Sequence, residues 1–141
     1  MILFGNKKIQ FFLLIIFLFL SENVYALENK ILIKVNNEII TSIDVNSEIN
    51  YLIALNKKIE KLDKEKKFNI AKNSLIREKI KKIELLNYIK KIEVEEEISD
   101  EILKSTYLRL GINSKEEFLK YIKNYNINIK TIVEKVSVEA L

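Results

Sequence analysis

The chain has 141 residues, with 24 Lys or Arg against 20 Asp or Glu and a formal net charge of +4. It contains no His and no Cys, which removes Ser-His-Asp and Cys-His catalysis, His-ligated zinc, thiolate metal sites and disulfides. Two glycines, Gly5 and Gly111, cannot build a Walker loop or a G-x-G-x-x-G turn, so nucleotide-driven chemistry is not expected.

Residues 1–26 read as a secretory signal peptide. Lys7 and Lys8 form a positive n-region, Ile9 to Leu20 is a charge-free and mostly apolar run, and Val24-Tyr25-Ala26 is an A-x-A-like cleavage site. The run is shorter than the roughly 20 apolar residues of a membrane-spanning helix. Cleavage after Ala26 is favoured over an uncleaved anchor, and it leaves residues 27–141 as one exported domain. The charge balance is weak and mixed in sign. Lys57-Lys58, Lys64 to Lys67 and Lys79 to Lys82 read as solvated helix faces, and with the export signal no nucleic-acid partner is expected.

No Pro interrupts the chain, so long helices are the default. The exception is Ile31 to Ile40, where β-branched residues dominate and Asn36-Asn37 signals a turn between two short strands. Thr41-Ser42-Ile43-Asp44 is a helix start, and Val45, Ile49, Leu52 and Ile53 carry a first helix over 42–57. Asp63 is a candidate N-cap for a second over 64–90. Its stripe of Ile76, Ile80, Ile83, Leu86 and Ile89, widened by Phe68, Ala71 and Leu75, makes it the expected backbone of the core.

A third helix follows Ile92-Glu93-Val94, with Glu95, Glu96 and Glu97 in its first turn and Ile98, Ile102, Leu103, Thr106, Tyr107 and Leu110 on its apolar side. Gly111 suits the left-handed position after its end. Ser114-Lys115-Glu116-Glu117 is a capping box that opens a fourth helix carrying Phe118, Leu119, Ile122 and Tyr125. Asn126-Ile127-Asn128 breaks the pattern, and Asn128 caps a fifth helix with Ile129, Ile132, Val133 and Val136. The expected fold class is therefore mainly α: a short N-terminal β-hairpin, then about five helices.

The order and spacing of these signals resemble the N-terminal chaperone domain of SurA-type periplasmic proteins. Val35-Asn36-Asn37-Glu38-Ile39-Ile40-Thr41-Ser42-Ile43-Asp44-Val45 is similar to that family's opening hairpin and first helix start. Leu75-Ile76-Arg77-Glu78-Lys79-Ile80 resembles its "L-I-x-x-K-L" helix, and Ile92-Glu93-Val94 through Ile98 its "I-x-V-S-x-x-E-I" step. Leu110-Gly111-Ile112-Asn113-Ser114 with Glu116-Glu117-Phe118 resembles its "G-x-S-x-E-E-F" cap. PpiD-like and parvulin-type foldases share this architecture.

The resemblance implies ATP-independent binding of unfolded exported proteins, outer-membrane proteins among them, without a cofactor. Tyr51, Tyr88, Tyr107, Phe118, Tyr121 and Tyr125 are the aromatics that would line a client groove, although aromatics at helical spacing are more often core. Relatives usually carry parvulin isomerase domains after this region and a returning C-terminal helix. Both are missing before Leu141, so the chain reads as no enzyme. It is then a truncated or split foldase, or a subunit that completes its core by pairing with another chain. A carboxylate-only hydrolase built from Glu95 to Glu97 and Asp100-Glu101 is less economical than helix-start charges.

Overall fold

The computed structural model describes residues 29–92 and 94–140. The signal-peptide reading, residues 1–26, lies outside them. The described chain is a two-stranded antiparallel hairpin followed by five helices: β1 Ile31–Val35, β2 Glu38–Thr41, α1 Ser42–Leu55, α2 Lys64–Tyr88, α3 Glu96–Arg109, α4 Lys115–Lys123 and α5 Ile129–Ala140. A short 3-10 turn, Lys57–Lys61, links α1 to α2. No helix among the described residues is long and apolar enough to cross a membrane.

The hairpin turns at Asn36-Asn37, with Asn36 at φ 53, in the left-handed region that Asn enters more readily than most residues. Val35 pairs with Glu38, Lys34 with Ile39 and Ile33 with Ile40; the register then shifts before Ile31 pairs with Thr41. A hairpin this short is marginal alone. Here it leans on helices, with Ile33 and Val35 packed around buried Ile40, Val45, Ala71 and Leu75.

Thr41 ends the second strand and starts α1. Its hydroxyl accepts from the Asp44 backbone N–H at 3.3 Å, and the Asp44 carboxylate accepts from the Thr41 N–H at 2.8 Å, closing a reciprocal capping box. The box expected at Ser114 is one-sided: Ser114 Oγ accepts from the Glu117 N–H at 3.2 Å. Asp63 caps α2 as expected, accepting from the Lys66 N–H. Asn128 accepts from the Lys130 N–H at the start of α5. The first helix stops at Leu55, two residues early, because the Asn56 side chain accepts from the Lys58 N–H and starts the 3-10 turn.

Helices α3 and α4 end alike. Gly111, at φ 75, donates to the Leu108 carbonyl, and Ile112 to that of Tyr107. Asn126, at φ 56, donates to Lys123, and Ile127 to Ile122. Both are Schellman motifs, and both point an isoleucine, Ile112 or Ile127, at the same core. No atom lies within 4 Å of the place a Gly111 Cβ would take. Gly111→Ala should therefore cost only the left-handed strain, about 1–2 kcal/mol, measurable by chemical denaturation.

The core has two parts joined by α1. The hairpin and α2 meet the first half of α1 around Ile40, Val45, Ala71 and Leu75. The second half meets α3, α4 and α5 around Tyr51, Leu103, Phe118, Ile122 and Ile132. The expectation that α2 forms the backbone of the core is thus corrected: α1 does. Only Ala71 and Leu75 of α2 are buried, and Ile80, Leu86 and Ile89 of its stripe stay exposed because no described element covers that end.

Candidate functional groove

On α1, Glu48 and Tyr51 lie one turn apart on the inward face, since residues three apart on a helix are neighbours. Glu48 is 98% removed from solvent, its exposure being 2%. Its charge is matched by Lys135 of α5, whose Nζ lies 2.8 Å from Glu48 Oε2. That ammonium also pairs with Glu78 of α2 and sits 5.0 Å from the centre of the Tyr51 ring. One cation thus ties together three helices that are distant in sequence. Two surface contacts reinforce it: Lys82 pairs with Glu134 at 2.7 Å, and Lys81 Nζ donates to the Glu139 carbonyl at 2.8 Å.

Burial works against the Lys135 ammonium, yet Glu48 and Glu78 outweigh it and hold its pKa above the usual lysine value. Burial, with help from Glu139, Glu48 and Glu78, pushes the Tyr51 hydroxyl well above the usual tyrosine value. That hydroxyl has no hydrogen-bond partner in the described structure. An unpaired buried hydroxyl costs free energy, so Tyr51→Phe should leave the fold as stable or make it more stable by about 1 kcal/mol, read from a denaturant midpoint.

Glu48, Tyr51, Glu78 and Lys135 form the wall shared by two concavities. The larger, about 560 Å³, is a groove between α1, α2 and the turn from α4 into α5. Its apolar lining is Ile40, Ile43, Leu75 and Ile127, with Tyr51 and Tyr125. Its rim carries Asn46 and Asn50 on one side and Asn126 and Asn128 on the other, all four exposed. The smaller, about 290 Å³, opens on the far side of the ion pair, toward Arg77, Lys81 and Glu139. No group of three or more His, Cys, Asp or Glu side chains gathers to hold a metal among the described residues.

The six aromatics singled out from the sequence separate. Tyr51 and Tyr125 line the groove. Tyr121 stands beside Tyr125, ring centres 5.3 Å apart, and donates its hydroxyl to the Ala54 carbonyl; the Lys57 ammonium covers both rings. Phe118 is fully buried, and Tyr107 packs against it with ring centres 6.0 Å apart. Phe118, without exposed surface, is core in this arrangement. Tyr88, at the end of α2, is 89% exposed.

Glu48, Glu78 and Lys135 were not singled out. The one signal for them was Glu48, a charge in an inward position of α1 between Val45 and Leu52. Comparison with protein-family models, with curated proteins and with solved structures finds no match to this chain.

Proposed function

We propose that this chain is an ATP-independent chaperone domain that holds unfolded exported polypeptides, outer-membrane proteins among them, in the periplasm. The observation that carries this reading is the groove. Its lining includes the apolar and aromatic side chains of Ile40, Ile43, Leu75, Ile127, Tyr51 and Tyr125, together with the exposed Asn46, Asn50, Asn126 and Asn128. An apolar lining favours unfolded over folded chains, because only unfolded chains expose apolar side chains in quantity. Side-chain amides pair with peptide groups whatever the sequence, which suits a binder of many partners.

The resemblance to SurA-type domains supports the same reading, and the signal-peptide sequence supports the compartment. The test is aggregation of a denatured outer-membrane β-barrel protein diluted into buffer with residues 27–141. Suppression at a few-fold molar excess is the expected result. Unchanged light scattering at that excess would refute the reading.

A second reading is favoured by α2. Toward its end it leaves Ile80, Leu86 and Tyr88 exposed, with Ile89 just beyond, apolar surface of the kind that further protein covers. On that reading the chain is a helical subunit, or the N-terminal part of a larger parvulin-type foldase, completed by further protein. Light scattering that gives a stable dimer without client binding would favour it.

A further inference from the structure

We infer that the groove takes a lysine or arginine side chain of an extended polypeptide, paired with its carboxylates. This rests on the chaperone reading and adds the chemistry of the client.

The protein is basic overall, at +4, but the groove is not. Asp44, Glu48 and Glu78 line it against Lys79 and Lys135. The Lys79 ammonium is turned to Glu38, 2.7 Å away, and Glu38 is not part of the lining. Lys135 pairs with Glu48 and Glu78, and the third carboxylate, Asp44, is held by the Thr41 N–H and hydroxyl rather than by an ammonium. The lining carries three carboxylates against two ammoniums, one of them turned to Glu38, and a concavity with a negative balance draws a cation even on a molecule of the opposite net charge.

The protein's own Lys135 shows how a cation is accommodated there. It lies between two carboxylates and over the face of Tyr51, the pairing of charge-assisted contacts and ring quadrupole that cations favour. The Tyr51 oxygen, 95% or more removed from solvent with its residue at 5% exposure, is left without a partner beside this centre. A second cation from outside would find Asp44 exposed and Glu78 partly exposed, with the unpaired Tyr51 oxygen buried behind them. A polypeptide is the occupant rather than a small ion, because the amide-bearing rims on both sides of the groove match main-chain groups flanking such a side chain.

The experiment compares two short fluorescent peptides rich in aromatic residues, identical except for one central position. One carries arginine and the other citrulline, its neutral near-isostere. Anisotropy titrations with residues 27–141 should give a Kd about 5-fold or more tighter for the arginine peptide at low salt, the scale of one charge-assisted contact. The preference should shrink toward unity at high salt, and in Glu78→Gln at low salt. Equal affinity for the two peptides, or a preference indifferent to salt, would overturn the inference even if the chain suppresses aggregation. The salt series on the unaltered chain decides the matter should Glu78→Gln fail to fold. Failure of the aggregation test with neither peptide bound would instead remove the chaperone reading on which this rests.

Discussion

Lys135→Met should be among the most damaging single substitutions in the chain, costing about 3–5 kcal/mol of stability. The reason is what it leaves behind. Glu48, at 2% exposure, would keep a carboxylate in the interior with its cation gone. The net folding free energy of a domain this size is only about 5–15 kcal/mol, so the variant should unfold at markedly lower denaturant. Adding Glu48→Leu to Lys135→Met should recover most of the loss, because a matched apolar pair replaces an orphaned charge. If the double variant is no more stable than the single, burial of an unpaired Glu48 is not the cause.

The same ion pair sets an alkaline limit. The Lys135 pKa is held above its ordinary 10.5, so folding favours the protonated ammonium. The stabilisation is complete below 10.5 and is lost as pH climbs through the higher folded value. Tyr51 acts in the same direction: burial favours its neutral hydroxyl, and the unfolded chain gains by ionising it above its ordinary 10.0. Stability measured by denaturant should therefore fall steeply above about pH 10–11 in the unaltered chain and less steeply in Lys135→Met.

Phe118→Ala should cost a similar amount, about 3–5 kcal/mol, through a different mechanism. The ring is fully buried where α1, α3, α4 and α5 meet, packed with Tyr51, Leu103, Ile122 and Ile132, and tilted against Tyr107. Removing it leaves a cavity that four helices from separate parts of the chain cannot close by a local shift. Thermal and chemical unfolding should both show the loss. Phe118→Leu, which keeps most of the volume, should lose roughly half as much or less. A small effect in Phe118→Ala would mean that α4 is not seated in this core.

The elements were largely legible from local signals. Asn36-Asn37 announces the hairpin turn, Thr41 and Asp44 the start of α1, Asp63 that of α2, and Gly111 the end of α3. Each works within about one turn of backbone, through a side-chain oxygen near free N–H groups or a residue that tolerates positive φ. Asn126 was legible as a break but not as the partner of Gly111 in a second Schellman turn, because Asn enters that region less readily than Gly. The early stop of α1 at Asn56 was not legible. An Asn side chain that caps a turn looks the same in sequence as one that points into water.

The groove was far less legible. Its walls come from α1, α2 and the turn before α5, and a stripe of apolar residues does not say which other stripe will cover it. The aromatics illustrate this: Phe118 and Tyr125 sit on the same helical pattern, yet one has no exposed surface and the other lines the groove.

By itself the sequence determined what this protein lacks, where most of its helices begin and where α3 ends. These follow from residue identity or from contacts within a few positions: no imidazole, no thiol, one glycine beyond residue 26, and a capping residue at most turns. Only the tertiary structure decided that α1 rather than α2 is central, and that Glu48, Glu78 and Lys135 meet. Those outcomes depend on contacts 57 and 87 residues apart in the chain, between Glu78 and Lys135 and between Glu48 and Lys135. Coulomb attraction across a desolvated helix junction leaves no periodic trace in sequence, because any charged residue on a helix reads as solvent-facing until the fold buries it.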